Sequence, residues 1–405
     1  MKKFIITGIQ MRNKGSQAMF LSLYYGLKSI YKDCEVIGFA YKFDSPEQYR
    51  FKLLPYDDYT RMLFKYRVHK APFLAGPLTY LVSRLRKTDK WNGKFREMHE
   101  ALRDADAIFD ASGYTLGSGW TKAGGDMLLQ TIRIAKDYNT KIVLMPQSFG
   151  PFDWGEDDDA EFLARVKQEL SYATKVYARE KEGYECLTSL GLDNVELSAD
   201  IVLREKNFPS VDDILVSAET DEAKYPEPGS VGLILNENVF RVGDRDSVLN
   251  LYVKMLDKLV EKGEKVYILS TSTADVNLVD KVLEKTANRD AVELISGEYA
   301  SPELIDIIAR FKYVVASRYH SVVFAYKSGV PGIILGWATK YIDLAEHFQQ
   351  QDYVFDIRKL DVDEMIAKID LMSANHETEA RRIRESLDGI QASSVLEEAL
   401  LALGA

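Results

Sequence analysis

Tyr313-Val314-Val315-Ala316-Ser317-Arg318-Tyr319-His320-Ser321-Val322-Val323-Phe324-Ala325-Tyr326-Lys327-Ser328-Gly329-Val330-Pro331 is the stretch that decides the fold. It reads as the end of a buried strand (312–316), a helix (about 319–329) closed by Gly329 and Pro331, and the approach to a further strand (332–335). Strand, helix and strand in that order form a crossover unit of a parallel sheet.

The same alternation extends in both directions. Upstream, strand 231–235, helix 246–262, strand 265–270, helix 275–287, strand 291–295 and helix 301–310 complete one series. A polar stretch from Glu205 to Ser230, with Pro209, Pro226 and Pro228, separates it from an earlier series. That series contains strand 3–8, helix 15–31, strand 34–40, strand 106–111, helix 123–137, strand 141–146, helix 157–173, strand 175–179 and helix 180–190. The pattern predicts an α/β chain of two Rossmann-like domains, 1–205 and 206–405, followed within the second by a helical C-terminal extension. There, apolar residues recur at helical spacing over 362–372 and 377–403, and the last helix is expected to pack back on the first domain. Open α/β sheets bind ligands at the carboxyl ends of their strands. Two such sheets are therefore expected to face each other across a cleft that holds the site.

Composition sets limits on the partners. The chain has 405 residues, 46% hydrophobic and 28% charged, ordinary for a folded protein. Its net charge of −10 argues against an extended nucleic-acid interface. Cys34 and Cys186 are the only cysteines and form no metal or disulfide pattern. The opening Met1-Lys2-Lys3-Phe4-Ile5-Ile6 has too short an apolar run for a signal peptide and reads as a strand. No stretch approaches the roughly 20 apolar residues of a membrane span. The expectation is a cytoplasmic protein.

Residues 61–96 break the charge pattern, with ten Lys/Arg and one carboxylate, Asp89. The segment carries +9, so the rest of the chain carries −19. Aromatic and leucine residues interleave its cations, which suits an insertion lying on an anionic membrane surface at the inner face of the plasma membrane. The alternative is a basic insertion packed on its own domain or a dimer contact.

Arg318 and His320 fall where strand gives way to helix, a place that favours an anion. Arginine offers a planar fork for carboxylate or phosphate, and an imidazole with a pKa of about 6.5 donates or accepts a proton near neutrality. Arg-x-His here reads as an anion-binding acid. The alternative is that His320 caps the helix and Arg318 makes an internal ion pair. His69, His99, His347 and His376 read as surface or helix residues.

Asp106-Ala107-Ile108-Phe109-Asp110, Gln147-Ser148-Phe149-Gly150-Pro151, Ala178-Arg179-Glu180, Ser198-Ala199-Asp200, and Ser317-Arg318-Tyr319-His320 through Gly329-Val330-Pro331 and Lys340 together resemble the polysaccharide pyruvyl transferase family. The resemblance runs from about Asn13 to Tyr341. It implies a GT-B-like fold, with an acceptor side in the first domain and a donor side in the second. It implies phosphoenolpyruvate as donor substrate rather than a cofactor, a saccharide acceptor that is polymeric or lipid-linked, and a pyruvate ketal as product. By the same resemblance Arg179 and Arg318 clamp the phosphoenolpyruvate, His320 binds it and supplies the proton, and Lys340 adds a phosphate contact. For Arg179 the alternative is an ion pair with Glu182 or Glu185, and for Lys340 a solvated charge.

Asp110 and Asp200 follow strands and are candidates on the sugar side, unless they cap helices. Arg12-Asn13-Lys14-Gly15-Ser16 joins the first strand to the first helix, where backbone N–H groups and the side chains of Asn13 and Lys14 can hold an anion or a sugar oxygen. Related proteins show Asn-x-Gly-Asp at this place, and here Ser16 replaces the Asp. The loop with Gly113, Tyr114, Gly117 and Gly119 replaces a run of adjacent glycines. Its spaced glycines allow close backbone approach, and Tyr114 and Trp120 suit a stacked sugar ring. Glu156-Asp157-Asp158-Asp159 reads as a charge cluster favouring the start of a helix, and no metal is expected. The rival reading is a nucleotide-sugar glycosyltransferase, and a third is a sugar- or anion-binding protein without turnover.

Overall fold

A computed structural model describes residues 1–42, 46–71, 77, 94–216, 225–359 and 361–404. The chain divides into two units: Met1–Ile201 with Asn207–Ser217 and Val395–Ala405, and Val202–Lys206 with Ala218–Ser394. The units interleave in sequence, because the last helix, Val395–Leu403, belongs to the first.

In the first unit, seven strands form a parallel ladder. In spatial order they are Lys52–Pro55, Cys34–Lys42, Lys2–Gln10, Ala107–Asp110, Lys141–Phe149, Lys175–Ala178 and Val195–Leu197. An eighth, Tyr114–Leu116, pairs with the end of Lys141–Phe149. Phe4, Ile5 and Ile6 are all fully buried, so helices cover both faces of the sheet. Ile108, Leu129, Ile142, Phe162 and Val176 belong to one of its core clusters.

The second unit repeats the plan in six parallel strands: Val292–Ile295, Val266–Leu269, Ser230–Ile234, Phe311–Ala316, Gly332–Gly336 and Val354–Asp356. Val231, Leu233, Tyr252, Leu256, Ile268, Val315, Ile333 and Met365 pack in its core. In both sheets the chain winds outward in one direction from the first strand, then returns and continues in the other. The first strand of each sheet, Lys2–Gln10 or Ser230–Ile234, therefore lies beside the fourth, Ala107–Asp110 or Phe311–Ala316. Beyond the carboxyl ends of those two strands their connections diverge and leave a crevice. The topology alone places Arg318 and His320 at one such point and Asn13, Lys14, Asp110 and Gly113 at the other.

The C-terminal helices differ from the expected 362–372 and 377–403. Helix Val362–Ile390 runs unbroken through Ser373 and His376, and the break falls at residues 391–394. Ser373 stays helical because its hydroxyl bonds inward, to Glu264 Oε1 at 3.0 Å and Tyr313 Oη at 2.8 Å. At the break, Ser394 Oγ donates to Glu205 and Ser393 Oγ accepts from Arg204.

Of the basic segment 61–96, residues 72–76 and 78–93 lie outside the described residues, so the membrane-contact expectation falls largely there. In the described part, Arg67, His69 and Lys70 converge on Asp137, at 3.2, 3.2 and 2.9 Å. His69 lies in the helical turn Val68–Lys70 but is buried, 5% exposed and stacked on Tyr138. Burial holds its pKa below the usual value despite Asp137. No helix among the described residues is long and apolar enough to cross a membrane.

Candidate functional site

In the second unit the turn after strand Phe311–Ala316 is held by buried hydrogen bonds. Ser317 is fully buried, its Oγ lies 2.8 Å from Tyr252 Oη, and its carbonyl accepts from Asn236 Nδ2 at 2.8 Å and Tyr341 Oη at 3.2 Å. Arg318 follows as the N-cap of helix Tyr319–Lys327. Its guanidinium donates to Asp275 through Nε and Nη2, each at 2.6 Å, leaving the Nη1 amino group for another acceptor. Asp275 is fully buried, and its Oδ1 also accepts the backbone N–H of Glu237 at 2.9 Å. One carboxylate thus joins the turns that follow three adjacent strands.

Arg318 does make an internal ion pair, and the pairing holds one edge of its fork at the carboxyl end of the sheet. His320 is not the helix cap; it stands second in the helix, half-buried, with its ring edge-on to Tyr319 at 5.3 Å. Lys340 is half-buried rather than fully solvated, its Nζ 5.3 Å from the centre of the Tyr319 ring. Tyr319 thus meets both the His320 ring and the Lys340 ammonium, next to Arg318 at the N-terminus of its helix, where backbone N–H groups favour negative charge.

The first unit holds a second arginine–aspartate pair. Strand Lys175–Ala178 delivers Arg179, and the short strand Val195–Leu197 delivers Asp200. Arg179 Nη1 lies 2.9 Å from Asp200 Oδ2, and Nε donates to Ser148 Oγ at 2.9 Å. Glu180 stands 3.8 Å from Nε. Arg179 precedes the helix Lys181–Ser189. The two side chains of the pair are 3% and 0% exposed. Arg179 thus touches a ligand only if the groups around it move, whereas Arg318 is 23% exposed.

At the switch point of the first sheet, Asp110 is fully buried and accepts from Thr7 Oγ1 at 2.8 Å, Ser112 N at 3.1 Å and Gln147 Nε2 at 3.3 Å. Burial raises its pKa, against the opposing pull of those hydrogen bonds. A carboxyl group that binds its proton more tightly folded than unfolded favours the native state at acid pH. That contribution is lost as pH rises from the unfolded value near 3.9 through the folded one. Asp110→Asn is therefore expected to gain stability relative to wild type as pH rises above the unfolded carboxyl value of about 4, read as a difference in melting temperature that grows with pH.

Asn13 is the N-cap of helix Lys14–Ile30, its Oδ1 accepting from Gly15 N and Ser16 N at 3.1 and 3.2 Å. Lys14 is the first helical residue and half-buried. Ser16 Oγ accepts the N–H of Gln10 at 2.9 Å, so the residue standing in place of an acid closes the strand end. Gly113 takes a positive φ of 74° in the turn after Asp110.

Tyr114 is held by its own loop. Its hydroxyl donates to Gly150 O at 3.0 Å and accepts from Gly119 N at 3.1 Å, and its ring fills the space beside Gly117 and Gly119. The spaced glycines accommodate the loop's own tyrosine. A Cβ at Gly117 would lie 2.3 Å from Gly150 O. Gly117→Ala is accordingly expected to cost about 1–3 kcal/mol. Gly389→Ala, in a helix with nothing within 4 Å of the new Cβ, is expected to be neutral or stabilising in the same thermal scan.

The acidic cluster surrounds a lysine. Glu156 at 3.0 Å, Asp159 at 2.5 Å and Asp158 all contact Lys122 Nζ. This is the one group of three metal-capable side chains among the described residues. The ammonium of Lys122 sits among its oxygens, where a metal would bind.

Sequence reasoning missed Asp275, Asn236, Tyr252 and Ser148. Each acts on a residue distant in sequence, Asp275 and Asn236 from the connections after strands, Tyr252 from helix Arg245–Glu261 and Ser148 from within strand Lys141–Phe149, and none of these positions signals its partner locally.

A search of curated proteins found no match. Among solved structures, the chain is similar to Anabaena Alr3699/HepE in complex with UDP, at 12% identity over 100% of this chain and 98% of that one, with a TM-score of 0.56. It is similar to S. aureus MnaA in its UDP co-structure, at 12% identity over 99% and 94%, with a TM-score of 0.54. It is also similar to the trehalose-6-phosphate synthase OtsA, at 9% identity over 100% and 99%, with a TM-score of 0.56. At such identities the likeness shows a shared fold, the GT-B-like α/β type expected from the sequence. A family model described as polysaccharide pyruvyl transferase matches residues 13–339. With the match spanning most of the sequence, from the Asn13 cap through the Arg318–His320 turn to the helix of Lys340, the chain belongs to the polysaccharide pyruvyl transferase family.

Proposed function

We propose that the protein transfers the pyruvate skeleton of phosphoenolpyruvate to two hydroxyls of a saccharide, forming a cyclic ketal and releasing phosphate. The observation that carries this reading is the Arg318–His320 turn, where a guanidinium held by Asp275 stands two residues from an imidazole on a helix N-terminus. Phosphoenolpyruvate presents a carboxylate and a phosphate to such cations and a nucleophilic methylene to such an acid.

His320 delivers its proton to the methylene carbon, giving a methyl group and an oxocarbenium-like centre at C2. Arg318, with Lys340 beside it, stabilises the carboxylate and the departing phosphate. One saccharide hydroxyl adds to C2 and the C2–O bond to phosphate breaks. A second hydroxyl closes the ring. Of the two hydroxyl protons, one restores the imidazolium and the other leaves with phosphate, so the sum is phosphoenolpyruvate plus diol to ketal plus phosphate. The first unit, with Asn13, Lys14, Asp110, Gly113 and Asp200, is assigned to the acceptor side, Arg179 keeps the role of second anion clamp that the resemblance implies, and a lipid-linked acceptor would meet the basic segment 61–96.

Incubation with phosphoenolpyruvate and a panel of oligosaccharides should release phosphate and add the mass of pyruvate less one water to one acceptor. Transfer from a nucleotide sugar with no release of phosphate from phosphoenolpyruvate would overturn the reading. The UDP bound in the Anabaena and S. aureus structures makes UDP-sugars the comparison to include.

A further inference from the structure

We infer that Trp120 is the stacking platform for a neutral pyranose ring of the acceptor, a reading that rests on the proposed function and assigns it a subsite. Trp120 is 50% exposed, an unusual state for the largest side chain in a fully folded loop. Its backbone is anchored on both sides. Its N–H donates to Gly117 O at 3.1 Å, and its carbonyl accepts from Trp154 Nε1 at 2.9 Å. Trp154 is itself held, stacked on Phe152 at 6.0 Å and edge-on to Phe162 at 5.2 Å.

The loop that presents Trp120 is laid along the end of strand Lys141–Phe149. Gly150 N donates to Leu116 O at 2.9 Å, Ser118 N to Pro151 O at 2.7 Å and Ser148 N to Gly113 O at 2.7 Å. Ser148 Oγ in turn accepts from Arg179 Nε. The platform is thereby tied by consecutive hydrogen bonds to the arginine of the acceptor unit and stands at the carboxyl end of its sheet, where open α/β sheets bind ligands.

An indole face suits the side of a pyranose on which ring C–H bonds gather, because it removes apolar area from water without demanding hydrogen bonds. Fixing the backbone beforehand removes much of the ordering cost that a mobile aromatic would incur on binding. Tyr114, the other aromatic of the loop, is half-buried, with its hydroxyl bridging Gly119 and Gly150 and its ring against Gly117 and Gly119.

The test uses the full chain as wild type, Trp120→Ala and Trp120→Phe, titrated with methyl β-D-glucoside, methyl β-D-galactoside and methyl N-acetyl-β-D-mannosaminide and followed by ligand-observed NMR. Phosphoenolpyruvate is titrated in parallel by thermal shift. At least one pyranoside is expected to bind wild type, about tenfold more weakly to Trp120→Ala, and with intermediate affinity to Trp120→Phe. The phosphoenolpyruvate response and the unliganded melting temperature should be equal in all three proteins. Undiminished pyranoside binding to Trp120→Ala, or no pyranoside binding to wild type while phosphoenolpyruvate still stabilises it, would overturn the platform and leave the donor reading intact. Trp120-dependent pyranoside binding without any response to phosphoenolpyruvate would do the reverse.

Discussion

Asp200→Ala is expected to lower the unfolding free energy of the first unit by about 3–5 kcal/mol, the range for removing one partner of a buried ion pair. The size follows from what is left behind. Arg179 is 5% exposed and its Nη1 would lose its 2.9 Å partner, while Ser148 and Glu180, the latter at 3.8 Å, remain. A guanidinium cannot shed its charge as a carboxyl group can, so it must draw in water or swing outward. Asp200→Asn keeps an acceptor at the same place and is expected to lose less. Denaturant titration of the three proteins checks the order. A loss below about 1 kcal/mol for Asp200→Ala would contradict the typical magnitude for a broken buried pair and mean that the groups remaining around Arg179 hold its charge.

His320→Ala is expected to reduce turnover by about 10²–10⁴-fold, the usual contribution of a positioned general acid, while phosphoenolpyruvate binding persists. The separation is possible because Arg318 is oriented by Asp275, not by His320. Arg318→Ala should instead weaken binding itself. Single-turnover rates set beside binding isotherms for the two variants distinguish the roles. Loss of binding in His320→Ala with Arg318 intact would reassign the imidazole from proton donor to anion ligand.

Much of the fold was legible because its strands are apolar runs buried on both faces. Strand 312–316 is observed as Phe311–Ala316 and strand 231–235 as Ser230–Ile234. The strands that escaped reading, Lys52–Pro55, Tyr114–Leu116, Val195–Leu197 and Val354–Asp356, have three or four residues. Strands of four residues such as Ala107–Asp110 and Val266–Leu269 were legible because they are wholly buried and mainly apolar, whereas Lys52–Pro55 and Val195–Leu197, among the strands that escaped, include exposed residues. Three of them close the edges of their sheets, and their neighbours define them more than their composition does.

The placement of Arg318 and His320 could be read for a local reason, since a strand, a turn and a helix follow one another within a few residues. Their supports could not. Asp275 lies 43 positions before Arg318, in a loop whose sequence, Ser270-Thr271-Ser272-Thr273-Ala274-Asp275, reads only as polar. Asp200 lies 21 positions from Arg179, a separation that carries no local signal. The glycines and tyrosine of the 112–119 loop read as ligand contacts because a sequence does not show whether space around a glycine is filled by a ligand or by the chain.

The most direct measurement is a calorimetric titration of phosphoenolpyruvate into the wild-type chain and into Arg318→Ala, with UDP-, GDP- and CMP-sugars titrated in parallel. Saturable binding of phosphoenolpyruvate that is lost in the variant, with no heat from the nucleotide sugars, is the predicted result. Tight binding of a nucleotide sugar, with none of phosphoenolpyruvate, would contradict the donor assignment.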